Sequence, residues 1–298
     1  MVEGKPYFRK IITGFLGVFL TIFASSPAYA LEMDQKGQIP PFALLTVPKS
    51  GSHMIIKALH LLTGGISVWH TRFPSFHYIP IEEGFLYTHL CISPQLESDY
   101  SALPKLKKII NIRDLRDVCV SIVRQIQKSP WPGMNAQQRA AFLQSTFDEQ
   151  LLFVIDFDYD VNEVSSSAPN SLQVSVLKLA EQAERFSRES NNLLCKYENL
   201  VGMMGGGSEK DQIEELRRIA EFLEIPISEA ALYEISWQLY GDEVNPFGKE
   251  GFKNYHSTFH NGKIGTWKTA FKTEHKIAFK KKLGKMLIAL GYESDDNW

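Results

Sequence analysis

The chain has 298 residues, 44% of them hydrophobic and 22% charged, the balance of an ordinary globular protein. That length suits one α/β domain or two small ones. A net charge of −2 excludes bulk electrostatic attraction to nucleic acid or another polyanion, so a site for a highly charged ligand has to be local.

The first thirty residues read as an export signal. Lys5, Arg9 and Lys10 supply a positive start and Ile11 to Ala24 an apolar run. Ser25-Ser26-Pro27 break that run, and Ala28-Tyr29-Ala30 then match a small-x-small cleavage pattern. The run is shorter than the roughly 20 residues a membrane-spanning helix needs. The expectation is an exported protein whose residues 1–30 are removed, leaving 31–298 with no stable membrane span. An uncleaved membrane anchor is the alternative.

From about residue 41, short apolar runs alternate with longer helical ones, which predicts a central parallel sheet flanked by helices. Phe42 to Val47 is a continuous apolar run of strand length. A loop at Pro48 to Ser52 follows, then a helical pattern through Met54, Ile55, Ala58, Leu59 and Leu62, ended by Gly64-Gly65. Phe85 to Leu90 and Lys108 to Ile112 read as further strands, the second feeding a helix from about Leu115 to Gln127. Helical spacing recurs over Leu172–Ser190, Asp211–Leu223 and about Thr273–Leu290, the last with a lysine-rich outer face, and Leu193–Tyr197 reads as a short strand. Gly202 to Ser208 reads as a flexible connector. Lys128–Ala140, Asp158–Ser171 and Gly241–Thr266 are long enough to be functional loops. No linker divides two cores, so residues 31–298 form one α/β domain in this reading.

The three cysteines, Cys91, Cys119 and Cys195, lie in apolar or strand-like runs and read as core residues rather than a disulfide framework. The eight histidines form no His-Glu-x-x-His spacing and no Cys-x-x-Cys occurs, so no metal site is expected.

The main chemical signal is Thr46-Val47-Pro48-Lys49-Ser50-Gly51-Ser52-His53-Met54. A strand ends, a glycine allows a tight turn, hydroxyl donors follow and a helix begins. Amide groups at a helix N-terminus carry partial positive charge and can hold an anion, to which Lys49 adds a full charge and Ser50 and Ser52 add donors. The Walker pattern Gly-x-x-x-x-Gly-Lys-Ser/Thr is absent, so this would be a different phosphate loop. Taken alone, it could equally be a structural corner with Ser52 as helix cap.

Pro-Lys-Ser-Gly-Ser at 48–52 resembles the 5'-phosphosulfate loop of the sulfotransferases that use 3'-phosphoadenosine-5'-phosphosulfate (PAPS). The family's usual Thr-Trp after it is His53-Met54 here, and Met54 is then expected to pack softly against the adenine ring. Four further segments in the expected order resemble the same family. Ile109 to Ser121 is similar to its 3'-phosphate element, with Arg113 at the strand end and Ser121 on the following helix. A guanidinium there suits bidentate phosphate binding, whereas the serine can reach back only if the helix packs beside the loop. Tyr87-Thr88-His89-Leu90 resembles the segment whose histidine is the general base, so the resemblance implies that role for His89, with His53 as the main rival. Tyr197-Glu198-Asn199-Leu200 resembles the family's Tyr-Glu-Asp-Leu, implying that Tyr197 contacts the adenine side, with Trp237 as a second aromatic. Gly262-Lys263-Ile264-Gly265-Thr266-Trp267-Lys268 resembles the element that closes over the 3'-phosphate, with His260-Asn261 where many members carry Arg-Lys.

The resemblance implies a P-loop-NTPase-like sulfotransferase fold and sulfuryl transfer from PAPS to a hydroxyl or amine, leaving PAP as product, without a metal. Lys49 and His89 are the expected catalytic residues. Lys49, Ser50, Gly51, Ser52, His53, Arg113, Ser121, Tyr197, Trp237, Gly262 and Lys263 are expected to hold the nucleotide. The acceptor is a small molecule, a glycan or a protein side chain, and nucleic acid is not expected. A nucleotide-binding module without turnover and a P-loop kinase of a small molecule are the alternatives.

Overall fold

The computed structural model describes residues 39–40, 42–64, 68–70, 85–89, 106–129, 134–157, 175–240 and 262–298, with backbone alone at 68–70 and 85–89. The export signal, Cys91, the loop 158–171, residues 241–261 and part of the loop after Lys128 lie outside the described residues.

Five strands form one parallel sheet in the order β2-β3-β1-β4-β5: β1 Phe42–Thr46, β2 Val68–His70, β3 Phe85–His89, β4 Lys107–Ile112 and β5 Asn192–Lys196. Helices cover both faces, so the central strands are apolar on both sides and show no polar alternation. In β1, Phe42 and Leu44 point into one core with Ile109 of β4, while Ala43 and Leu45 point into the other with Ile110 and Ile112. All of these side chains are buried, and each except Ala43 contributes roughly 1.5–3 kcal/mol by its removal from water.

Helix α1 (Ser52–Leu62) follows β1 and packs in the first core; α2 (Leu115–Lys128) follows β4 and packs in the second. Consecutive strand–helix units thus leave the sheet toward opposite faces on either side of the β1–β4 boundary. Such a switch point opens a crevice at the carboxyl ends of the strands, where ligands of open α/β sheets bind.

Several boundaries differ from the sequence reading. The stretch 128–140 is not one long loop, because Asn135 forms a capping box with Gln138 and starts α3 (Ala136–Gln144). Thr146 and Glu149 repeat the device to start α4 (Phe147–Asp156), which the sequence reading did not assign. Helix α5 (Val176–Ser187) falls within the expected span. Tyr197 does not end β5 but begins a short helix, α6 (Tyr197–Leu200). Residues 202–208 are not a flexible connector: Gly206 N–H donates to Met203 O, Gly207 N–H to Gly202 O at 2.8 Å, and Ile264 N–H to Gly205 O at 3.0 Å. That tight turn leads into α7 (Glu209–Phe222), capped by Ser208, and α8 (Glu229–Leu239) packs on it. A short α9 (Trp267–Ala270) and the long α10 (Thr273–Ala289) complete the second core. Cys119 and Cys195 are buried free thiols, as read from their apolar contexts.

Candidate active site

Parallel register levels the carboxyl ends of the strands. Thr46 pairs with His89 on one side and with Asn111 on the other, and Asn111 pairs with Cys195 of β5. The backbone of His89, the loop after β1, the loop after β4 and Tyr197 therefore share one edge of the sheet.

The loop after β1 is held by its own hydroxyls. Asn111 Nδ2 donates to Ser50 O at 3.0 Å and Ser50 Oγ at 2.8 Å, Ser50 Oγ donates to Asn111 O at 3.2 Å, and Ser52 Oγ donates to Thr46 Oγ1 at 2.9 Å. Ser50 and Ser52 thus brace the turn in this structure, and Ser50 is fully buried. Lys49 and Gly51 both have positive φ, 69° and 84°. A run of backbone amides through left-handed residues forms a concavity suited to an anion, and a lysine in that region costs about 1 kcal/mol. At Gly51 the glycine is required twice over. Its φ is left-handed, and a Cβ there would overlap the ring of Tyr197. Gly51→Ala should therefore lower stability by about 2–4 kcal/mol, strain and overlap combined, measured as the shift in denaturation midpoint; an unchanged midpoint would show that Tyr197 is free to retreat.

Lys49 Nζ donates to Gln125 Oε1 at 3.0 Å, and Gln125 Nε2 donates to Ser129 Oγ at 2.5 Å, which sets the orientation of the amide. This contact shows α2 running beside the phosphate loop, the condition Ser121 needs; Ser121 is half-buried one turn before Gln125. Burial, then Lys128 and Arg113, lowers the Lys49 pKa to about 8. Burial and Lys49 likewise lower His53 to about 4, so His53 is neutral at neutral pH. Met54 is buried in the α1 core, where it packs with apolar side chains rather than offering a surface to a ring.

Arg113, 8% exposed, lies with its guanidinium carbon 4.7 Å from the centroid of the Tyr197 ring. Its Nη2 donates to Lys263 O at 2.7 Å, and its buried Nε has no hydrogen-bond partner among the described residues. Tyr197 OH donates to Gly262 O at 2.5 Å, so Gly262 and Lys263 meet the site through carbonyls, and Lys263 as a residue is exposed. Burial raises the Tyr197 phenol to about 12, keeping it a neutral donor.

Asp117, to which the sequence assigned no role, organises this corner. One carboxylate oxygen accepts from Gly265 N–H at 2.8 Å; the other accepts from Thr266 Oγ1 at 2.8 Å and Trp267 N–H at 2.9 Å. With Arg113 Nη2 also 3.4 Å away, the carboxylate is 1% exposed and fully occupied. It is a buried clamp between the strand-end arginine and the C-terminal Gly-x-x-Gly-x-Trp element. Trp237, on α8, is 78% exposed and forms no ring contact with these groups. The side chain of His89 belongs to a strand described by its backbone alone. Among the described residues no cluster of His, Cys, Asp or Glu could hold a metal ion, and no helix is long and apolar enough to cross a membrane.

A family model described as "Sulfotransferase domain" matches residues 40–290, the whole stretch that carries the sheet and this corner. The chain belongs to the sulfotransferase domain family. Among solved structures, it is similar to mouse sulfotransferase SULT7A1 complexed with PAP, at 17% identity and a TM-score of 0.55, over 88% of this chain and 90% of that one. It is also similar to retinol dehydratase in a complex with retinol and PAP, at 15% identity and a TM-score of 0.52, over 85% and 84% of the two chains. At such identities the likeness shows the fold. Comparison with curated proteins found no match. As a sulfotransferase domain, the chain has its two phosphate-loop candidates on adjacent strands of one sheet, joined by Asn111 and by Tyr197.

Proposed function

We propose that this chain transfers a sulfuryl group from PAPS to an acceptor hydroxyl or amine, with His89 as general base and Lys49 as the charge beside the leaving 5'-phosphate. The register supports this reading: it levels His89, the Lys49–Gly51 loop and Arg113 on one edge, in the sheet's switch-point crevice. The unpartnered, buried Nε of Arg113 fits a nucleotide phosphate, since a buried guanidinium N–H without an acceptor costs about 1–3 kcal/mol. PAPS supplies the activated sulfuryl group. In the transfer, the S–O bond to the 5'-phosphate breaks, a bond to the acceptor oxygen or nitrogen forms, and the acceptor proton passes to His89.

Each chain residue then has a separable role. Lys49 and the loop amides counter the charge that develops on the leaving oxygen. Arg113 and Ser121 hold the 3'-phosphate, and Tyr197 flanks the adenine side. Remote contacts of this kind position the donor rather than change the reacting bond. A general base works best with a pKa near the operating pH, which counts against His53, held at about 4. The sulfuryl group carries less charge than a phosphoryl group, so the side chains can suffice without a metal. An acceptor that is a small molecule, a glycan or a protein side chain is compatible with this chemistry.

Calorimetry with PAP in metal-free buffer tests the donor site. Binding is expected for the unaltered chain and should be lost in the Lys49→Ala/Arg113→Ala double variant. Absence of binding by the unaltered chain, or equal binding by both, would overturn the reading.

A further inference from the structure

The last residues, 291–298, do not simply trail from α10; they fold back over the elements that frame the nucleotide corner. Lys196 Nζ donates to Gly291 O at 2.8 Å and lies 4.5 Å over the Tyr292 ring. Tyr292 OH donates to Glu198 Oε2 at 2.9 Å, and the other oxygen of Glu198 accepts from Asp114 N–H at 2.8 Å. Glu293 pairs with Arg116 at 2.6 Å, and Arg116 reaches back to both oxygens of Asp114 at 2.7–3.2 Å. The Arg116 guanidinium lies 3.8 Å from the Trp267 ring centroid and 4.4 Å from that of Trp298, in the corner the two indoles make by meeting edge to face at 5.7 Å. Phe279 and Lys280 of α10 hold the other side of Trp298.

These contacts have a pattern. Asp114 follows Arg113, Glu198 follows Tyr197, and Trp267 ends the loop whose carbonyls meet Arg113 and Tyr197. Arg113, Tyr197 and the Gly262–Lys263 loop therefore each have an adjacent or same-loop residue held by segment 291–298. Arg113 and Tyr197 sit at the start of helical elements, where a small shift of the backbone swings the side chain. A guanidinium aimed at a phosphate loses its charge-assisted hydrogen bonds once donor and acceptor separate beyond normal reach. Helix packing alone does not require this arrangement, because α10 is already anchored in the core by Phe279, Leu283 and Leu287.

We propose that Tyr292 and Trp298 are positioning residues for the 3'-phosphate and adenine side of the donor site, acting through Glu198–Asp114 and through Arg116–Trp267. The proposal rests on the nucleotide reading above. It predicts that nucleotide affinity depends on side chains that touch no ligand.

The experiment is PAP calorimetry on the full chain and on Tyr292→Phe, Trp298→Ala and Trp298→Phe, at a temperature well below each variant's melting point, with thermal melting measured in parallel. Tyr292→Phe keeps the ring and removes a single donor. It should weaken PAP about 5-fold, and Trp298→Ala about 10-fold or more, with Trp298→Phe recovering most of the loss because a ring again covers Arg116. A fall in melting temperature with PAP affinity unchanged in the folded variants would reduce the segment to a stabilising strap and overturn the inference. Should Trp298→Ala fail to fold, Tyr292→Phe and Trp298→Phe decide, unchanged affinity in Tyr292→Phe counting against it. Failure of the unaltered chain to bind PAP is a different result: it overturns the nucleotide reading itself, and this inference with it.

Discussion

Replacing His89 with alanine is expected to lower turnover by about 10²–10⁴-fold, the range a positioned general base contributes, while PAP affinity stays within about 2-fold. The separation follows from place. The backbone of His89 pairs with Thr46 at the end of β1, beside the loop assigned to the 5'-phosphate, whereas the groups assigned to the 3'-phosphate and adenine lie on the far side of Asn111. Losing a proton acceptor at one end of the crevice leaves the anion-binding groups of the other end intact. The assay is PAP release against a panel of phenols, alcohols and amines, with calorimetry alongside. Full turnover in His89→Ala would remove the assignment. Loss of binding together with turnover would make His89 part of the nucleotide site instead of the base.

Lys49→Ala should cost about 10²–10³-fold in turnover, the loss measured when one preorganised group facing a developing negative charge is removed. Here pH offers a second, sharper test. Burial first, then the neighbouring charges of Lys128 and Arg113, hold the Lys49 ammonium at a pKa of about 8. Below that pH the amine is protonated and can face an anion; above it the charge is lost. PAP affinity should therefore decline as pH rises through about 8, and the decline should vanish in Lys49→Ala. A bound anion favours the ammonium and raises the pKa, so binding near pH 8 should take up a fraction of a proton. Calorimetry in two buffers of different ionisation enthalpy measures that uptake. His53 does not interfere, since at about 4 it stays neutral throughout this window. Binding that releases protons, or is indifferent to pH from 7 to 9, would show that Lys49 does not meet the anion.

Much of the architecture was readable from residue order because it rests on local chemistry. The unbroken apolar run of β1 required cover on both faces, and the alternation of such runs with amphipathic stretches required parallel strands with helical crossovers. The phosphate loop was legible for the same reason: a strand end, a glycine at φ 84° and an immediately following helix are all encoded within a few neighbouring residues. The capping box at Asn135 was equally local but lay in a stretch read as loop, since α3 carries only one buried apolar side chain, Phe142, and shows no periodic stripe; the one at Thr146 opens a helix the sequence reading left unassigned. The glycines of 202–207 were read by composition as flexible. Their turn is fixed from outside, by the hydrogen bond from Ile264 some sixty residues later.

By itself, then, the sequence determined the α/β class and the strand–helix order around β1 and β4, because local propensity, patterning and short-range spacing carry that information. The sulfotransferase reading came from the likeness of its loops to a known family, and the family match over residues 40–290 shows it. Tertiary structure alone decided that Asp117 clamps Gly265, Thr266 and Trp267, that Lys49 leans on Gln125, and that Tyr292 and Trp298 return to Glu198 and Arg116. Each of these unites groups distant in the chain, and each arises because a charge enclosed by the packed core must find its partner in whatever segment the fold brings beside it.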